Sequence, residues 1–511
     1  MKKLLFIICV FSLFFVSCDL LLDLLLSDEE SKNSNNTENS EEPVDPNFGN
    51  FWSRSFKTGK QYRVDADLLV EGKHCNVWVE KGSATKAQAQ QVANEYDNKI
   101  YGMMIENFSI TNFTYNANSF PNIMDFADWL ADEDGKLCIL LLDIKDNYKK
   151  DVNDSYIAGY FHPLHFFNDS TSNRRDMIFI DTKPGMNDTK EAFSTLAHEM
   201  QHLMNFTTAW VLRSTQNQSG QLTGLNIMDT WVDEGLASAA EYLYSGHLIN
   251  RINWFVYNGF KESSKQEHRG LINRGNNFFV WGNRENENQY ANQDDYSTVY
   301  IFFQWLRLQA GRSTIYREII SSLNYDYRAV TGVMNSAVPG NGFSDWNVLL
   351  KTWHAANYIN ASSGIYGYKN DLVLKDLKVP SSSSISSSIS LVQGEGVYSR
   401  MGASFSMPSS SANIKYASLS KNPVSVDNVA ANGRILLTYN ANTALQTNSN
   451  NNYIAIPETG ITTGLPIPAS VNTASENRSI MPETIGPYRI DAGDFLRREP
   501  ITMEQMTKIR E

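Results

Sequence analysis

Long apolar runs and stripes at helical spacing occupy the middle of the chain. Residues 137–144 form an almost unbroken apolar run, which predicts a strand buried on both faces. Residues 177–181 predict a second short strand, and residues 51–80 predict several short strands before both. Residues 83–105 instead repeat apolar side chains every three or four positions, which predicts an amphipathic helix.

Three later segments also predict helices. Residues 192–205 are apolar nearly all round, a pattern typical of a helix inside the core. Residues 230–244 carry an inner apolar stripe behind Asp229 or Thr230, either of which can cap the helix. Residues 296–306 predict a further apolar helix.

The N-terminal residues have a different pattern. Lys2 and Lys3 precede an apolar run too short to span a membrane comfortably, so we predict a signal peptide over residues 1–17. Ser17-Cys18 is similar to a bacterial lipobox, although Phe15 stands where Leu is usual. We therefore expect Cys18 to carry acyl chains such as palmitate, with simple secretion as the alternative. Residues 18–50 are rich in Ser, Asn, Glu and Asp, which predicts a flexible tether.

Composition changes again after residue 368. Residues 381–390 are mostly Ser, and residues 390–490 contain short alternating runs that predict a small β domain or β appendage followed by a tail over 491–511. With 511 residues, 42% of them hydrophobic, the chain can build a large core. Its net charge of −12 argues against a nucleic-acid-binding surface.

The helix predicted over residues 192–205 contains His198-Glu199-Met200-Gln201-His202. His198 and His202 lie about 40° apart around a helix, so both imidazoles can take corners of one tetrahedral zinc site. Glu199 lies within the same arc and can reach a zinc-bound water without binding the metal. A chance match on a surface helix is the alternative, but a buried helix with these polar groups needs the partner that a metal supplies.

The helix predicted over residues 230–244 offers further ligands. Glu234 and Glu241 are two turns apart, so both carboxylates project from one face. Their spacing leaves open which of them completes the zinc site.

His-Glu-x-x-His followed by Trp231-Val-Asp-Glu-Gly235 resembles the gluzincin metallopeptidases. Ordered pieces that include Leu137–Ile144, Met177–Asp181 and Tyr296–Leu306 resemble the hyicolysin-type bacterial members, over roughly residues 75–370. The resemblance implies an α+β fold with a zincin-like catalytic domain (mixed sheet plus active-site helices) over 96–370. It also implies that residues 177–181 are an edge strand that pairs with extended substrate. The apolar patterns of residues 51–80 and 83–105 predict an N-terminal β element and the start of a backing helix at 51–95, ahead of this domain.

The same resemblance implies roles for individual residues. Glu234, the residue before the Gly, is the expected third ligand of one Zn²⁺ per chain, and Glu199 is the expected general base. Glu241 is then either a hydrogen-bond partner of a ligand imidazole or an ordinary helix residue. Tyr296, with Tyr300 as second choice, is the candidate donor to the oxyanion, against a plain role in the core.

Other histidines and cysteines give weaker signals. His162 and His165 flank Pro163, so we expect a loop pair near the cleft or in solvent rather than a second metal site. Cys75 and Cys138 lie in strand-like runs, and the sequence leaves open whether they form a disulfide or two buried thiols.

Two functions follow from these patterns. The first is a lipid-anchored, extracytoplasmic zinc endopeptidase of a bacterial cell envelope that acts on proteins or peptides. The second is an inactive peptidase fold that serves as a surface binding protein or adhesin. The intact set His198, Glu199, His202 and Glu234 favours the first, because loss of any one would mark decay.

Overall fold

A computed structural model describes the following residues: 49–110, 135–150, 155–166, 170–216, 222–257, 291–377, 379, 388–391, 393–401, 410, 413–427, 435–443, 456–459 and 488–490. The predicted signal peptide, Cys18, nearly all of the tether and the tail over 491–511 lie outside these residues. No helix in the described part of the chain combines the length and the apolar content needed to cross a membrane.

A six-stranded mixed sheet forms one layer of the fold. Its strands lie in the order β1-β2-β3-β4-β7-β6. The sheet and the adjacent strand β5 comprise β1 Asn50–Arg54, β2 Gln61–Glu71, β3 Cys75–Glu80, β4 Leu137–Leu142, β5 Ser155–Ile157, β6 Gly159–Phe161 and β7 Met177–Asp181. Strands β3, β4 and β7 are parallel, while β2 and β6 are antiparallel to their neighbours. Every residue of β4 is buried, as its apolar run predicts.

The edge of this sheet differs from the prediction. Met177–Asp181 is not an edge strand, because β6 pairs with its outer side and takes the edge position. Strand β6 has only three residues, which is too short for an alternating pattern to be read from the sequence.

The predicted helix over residues 83–105 is present but begins and ends three residues later in the chain. It comprises α1 Lys86–Glu95, a π-helical turn Tyr96–Ile100 and α2 Tyr101–Phe108. Thr85 and Gln88 form a capping box at its start. The boundary predicted between residues 95 and 96 therefore falls inside a continuous helical run. Strands β1–β3 also belong to the same sheet as β4, β7 and β6, so the fold has no division there.

Helices make up the second layer. They are α3 Thr189–Arg213, α4 Thr230–Ser245, α5 Ile249–Tyr257, α6 Ala291–Ala310, α7 Ile315–Ile320, α8 Tyr327–Ala337 and α9 Trp346–Ile359, with a hairpin of β8 Ser214–Gln216 and β9 Leu222–Leu225 between α3 and α4. Asp188 caps α3 by accepting hydrogen bonds from the N–H groups of Lys190 and Glu191. Asp229 occupies the N-cap of α4, but its side chain makes no capping bond.

The remaining strands follow these helices in the chain. They are β10 Ser388–Leu391, β11 Gly396–Arg400, β12 Ile414–Lys421, β13 Val424–Val426, β14 Ile435–Asn440, β15 Ile456–Thr459 and β16 Tyr488–Ile490. Strands β11, β14, β12 and β13 form an antiparallel sheet in that order. Tyr398, Leu419 and Leu437 belong to the same apolar cluster as α9 residues such as Trp353, so this sheet shares the core of the helices. The fold is α+β, as predicted.

Cys75 and Cys138 are buried thiols that form no disulfide. In the β3–β4 pair, Cys75 lies opposite Leu137, and Cys138 is the next residue along β4, opposite Asn76. Because successive side chains of a strand point to opposite faces, Cys75 packs with the helices and Cys138 packs on the other side of the sheet. This geometry excludes the disulfide alternative.

Candidate metal centre

Helices α3 and α4 bring the predicted metal ligands together in the core. His198 and His202 project from α3 and Glu234 from α4, and all three are at most 1% exposed. Glu234 Oε2 lies 3.4 Å from His198 Nε2 and 3.7 Å from His202 Nε2. Within the described residues, this is the group of side chains whose donor atoms could hold a metal ion.

The distances suit tetrahedral zinc. Metal–ligand bonds of about 2.1 Å give a tetrahedron with edges of about 3.4 Å, close to the two separations observed here. Two imidazole nitrogens and one carboxylate oxygen are also a donor set that zinc accepts in catalytic sites, with a fourth position for water. The residues therefore fit a single Zn²⁺.

Glu241 lies behind His198. Its Oε1 is 2.6 Å from His198 Nδ1 and 3.0 Å from Arg251 Nη2. A proton on Nδ1 makes this nitrogen the donor to Glu241 and leaves Nε2 directed at Glu234, which is the tautomer that a metal ligand needs. The two-turn spacing of Glu234 and Glu241 thus places the two carboxylates on opposite nitrogens of one imidazole.

Asp233 lies beside the corresponding nitrogen of His202 at ion-pair distance, a contact that the sequence prediction did not include. Its Oδ1 lies 3.0 Å from His202 Nδ1 and accepts a hydrogen bond of 2.6 Å from Asn205 Nδ2. Arg213 Nη2 donates in turn to Asn205 Oδ1 at 3.4 Å. Burial lowers the pKa of Arg213 to about 10, and the charge of Asp233 opposes that shift. The only signal in the sequence was an acidic residue directly before Glu234.

Glu199 lies beside the ligands and is fully buried. Its Oε2 accepts a hydrogen bond of 3.0 Å from the main-chain N–H of Phe161, in edge strand β6. The carboxylate is thus fixed between α3 and the strand that borders the site.

The two candidate tyrosines have different surroundings. The guanidinium of Arg251 lies over the ring of Tyr296, 4.7 Å from its centroid, so Tyr296 shares with Glu241 a contact to Arg251. The hydroxyl of Tyr300 accepts a hydrogen bond from Leu248 N at 3.1 Å and lies 3.2 Å from His247 Nδ1. Tyr300 therefore ties α6 to the residues that precede α5, while Tyr296 is linked to the metal centre through Arg251 and stays the candidate donor.

His162 and His165 are buried rather than exposed to solvent. His162 directly precedes a short 3₁₀-helix, Pro163–Phe166, and His165 lies within it, with the two ring centroids 5.7 Å apart. Burial, then the neighbouring charges of His165 and Arg54, lowers the pKa of His162 well below its usual value. Among the described residues, no third ligand completes a metal site with this pair.

A cavity of about 40 Å³ opens beside His202. Its walls are mainly apolar and include Phe161, Pro163, Phe206, Ile227 and Met228. One water molecule needs a cavity of about 10–15 Å³, so this larger cavity has room for a small apolar group next to the metal centre.

Comparison with known proteins agrees with this geometry. The neutral metalloprotease ShpI of Staphylococcus hyicus is 30% identical to the chain over 278 residues, which are 53% of this chain and 53% of that protein. The chain resembles a bacterial metalloprotease. It spans about half the length of this curated relative. No family model matches the chain.

Proposed function

We propose that the protein is a zinc-dependent endopeptidase of the gluzincin type. The observation that carries the proposal is the buried trio His198, His202 and Glu234, with the carboxylate of Glu199 on the same helix. The partial likeness to a neutral metalloprotease supports the same reaction class.

Each residue would have a separate task. His198 Nε2, His202 Nε2 and Glu234 would hold Zn²⁺, which lowers the pKa of a bound water to about 7 and polarises a carbonyl when it is present. Glu199 accepts the proton of the attacking water and passes it to the leaving amine. Tyr296 donates a hydrogen bond to the oxygen of the carbonyl under attack.

The buried carboxylates behind the histidines support this assignment. Glu241 accepts a hydrogen bond from Nδ1 of His198, and Asp233 lies 3.0 Å from Nδ1 of His202, so a carboxylate stands behind each ring while both Nε2 atoms are directed at Glu234. A binding protein that had lost activity would have no need to keep Glu199, which is not a ligand in this scheme. We therefore favour an enzyme over an inactive surface protein.

We further propose that the substrates are extracytoplasmic proteins or peptides and that lipidated Cys18 anchors the enzyme in a bacterial envelope membrane. The support is the pattern of residues 1–50: a short apolar run after two lysines, then Ser17-Cys18, then a polar tether.

The test compares the full-length protein with its Glu199→Gln variant. We expect the wild type to hydrolyse casein, and the variant to bind about one zinc per chain yet cleave about 100- to 10,000-fold more slowly, because it lacks the general base. Glu318→Gln is the matched control, since Glu318 pairs with Arg312 on the surface and should retain full activity.

Equal cleavage by wild type and Glu199→Gln would contradict the mechanism. Absence of zinc from both proteins would contradict the metal site itself.

A further inference from the structure

Edge strand β6 directs the main-chain N–H groups of two residues, Gly159 and Phe161, away from its own sheet. Asp181 N donates to Ala158 O at 2.9 Å, which makes 158 and 181 a hydrogen-bonded pair of the antiparallel ladder. Hydrogen-bonded pairs alternate with non-hydrogen-bonded pairs along such a ladder, so the next hydrogen-bonded pair is Tyr160 with Phe179. The N–H and C=O groups of Gly159 and Phe161 therefore point away from β7.

The outward N–H of Phe161 meets the carboxylate of Glu199 at 3.0 Å. The close packing of β6 on α3 makes this contact possible. A Cβ on Gly159 would lie 2.8 Å from Thr195 Cγ2, one turn before His198, so only glycine allows the strand to approach the helix so closely.

We propose that the main-chain N–H of Phe161 is a positioning group for Glu199. The inference rests on the proposed function, in which Glu199 is the general base. A carboxylate can accept about four hydrogen bonds, so one bond from Phe161 leaves acceptor capacity for the attacking water. A hydrogen bond to an ionised acceptor is about twice as strong as a neutral one, and this one fixes Oε2 against rotation of the side chain.

The contact also limits how substrate can pair with β6. An extended peptide added to this edge can bond the N–H and C=O of Gly159 and the C=O of Phe161, while the N–H of Phe161 stays with Glu199. The strand that would align the peptide therefore also aligns the base, and the distance between them is set by Gly159 and Phe161, which are two positions apart on one short strand.

Two substitutions at one position isolate the N–H group. Phe161→Pro removes the N–H, and it breaks no ladder bond because that N–H points away from β7. Phe161→Val loses most of the buried ring but keeps the N–H. We expect the Pro variant to have a kcat about 10- to 100-fold below that of the Val variant, with equal KM and zinc content, because misplaced catalytic groups cost about this much. Equal kcat values in the two folded variants would overturn the proposal.

Hydrogen exchange at the Phe161 amide tests the same contact without any activity assay. In protein with selectively ¹⁵N-labelled Phe, we expect slow exchange at Phe161 in the wild type and in Glu199→Gln, whose side-chain oxygen still accepts. In Glu199→Ala we expect exchange at least about tenfold faster, since the amide becomes an open edge donor.

The same exchange rate at Phe161 in all three proteins would overturn the proposal, whether or not the wild type cleaves casein. Casein that stays intact beside a protected, Glu199-dependent amide would instead count against the proposed function alone. The two failures are therefore distinguishable.

Discussion

Each histidine of the candidate metal centre uses its two ring nitrogens differently. Nε2 is directed at Glu234, while Nδ1 contacts a second carboxylate, Glu241 behind His198 and Asp233 behind His202. A carboxylate on Nδ1 fixes the tautomer and the ring orientation and makes Nε2 a better ligand. The two rings are therefore oriented for a metal by contacts that are already present in the protein.

Removal of either carboxylate should weaken zinc binding. We expect Glu241→Gln and Asp233→Asn each to reduce zinc affinity about 10- to 100-fold, since the imidazole loses its charged partner. Competition with a chromogenic chelator measures this affinity, and Glu318→Gln on the surface should match the wild type. Unchanged zinc affinity in both core variants would contradict a role for these two carboxylates in zinc binding.

The sequence predicted part of this centre. The His-Glu-x-x-His spacing identified three residues, and the resemblance chose Glu234 over Glu241. Asp233 was missed because a residue adjacent to a ligand on a helix points about 100° away from it. Its contact with His202 depends on how α3 crosses α4, and that crossing is not encoded in the local pattern.

At the scale of elements, Gly235 sets the distance between α4 and α6. A Cβ at this position would lie 2.1 Å from a ring carbon of Phe303 on α6. The glycine that follows Glu234 therefore lets the ligand-bearing helix pack directly on an aromatic side chain. Without that contact Glu234 would stand at a different height relative to the two histidines.

Gly235→Ala should therefore disturb both stability and the site. We expect it to lower the free energy of unfolding by about 1–3 kcal/mol through overpacking and to weaken zinc binding. The matched control is Gly332→Ala in α8, where a Cβ meets nothing within 4 Å. This control should stabilise the protein by about 0.5–1 kcal/mol, because alanine is the better helix former. Urea denaturation measures the free energy of unfolding of both variants. An equal change in the two would contradict the packing argument.

The long helices and strands were easier to predict from the sequence than the short ones. The strand predicted over residues 137–144 is present as Leu137–Leu142, and the helix predicted over 192–205 is present as Thr189–Arg213, because many residues in each share one environment. The three-residue strand β6 was not placed at the edge, although it contacts Glu199. Its position is set by pairing with β7, which is a long-range property that a short segment cannot signal.

At the scale of the whole molecule, the C-terminal sheet joins the helices through a buried histidine. His354 of α9 donates from Nε2 to Gly394 O at 3.1 Å, and its backbone carbonyl accepts from the Tyr398 hydroxyl at 2.9 Å. A Cβ on Gly396 would lie 2.6 Å from the His354 ring, so sheet and helix are in close contact. The sequence predicted β structure here but could not show that it completes the main core.

Burial lowers the pKa of His354 to about 3, and this predicts a pH-dependent stability. The folded protein keeps the ring neutral, whereas the unfolded chain binds a proton below about pH 6.5, so stability is lost as pH falls from 6.5 towards 3. As the pH falls from 7 to 5, protonation of this residue in the unfolded chain should lower the free energy of unfolding by up to about 2 kcal/mol. His354→Gln, which can still donate to Gly394, should show a correspondingly shallower decline. The same pH dependence in both proteins would contradict the assignment.

One zinc ion should bind where α3 meets α4. Anomalous diffraction at the zinc edge, from crystals of the zinc-loaded protein, tests it most directly. We predict one strong peak per chain, about 2.0–2.2 Å from His198 Nε2, His202 Nε2 and a Glu234 carboxylate oxygen, with Glu199 outside bonding distance. A peak elsewhere, or zinc bonded to Glu241 in place of Glu234, would contradict the account.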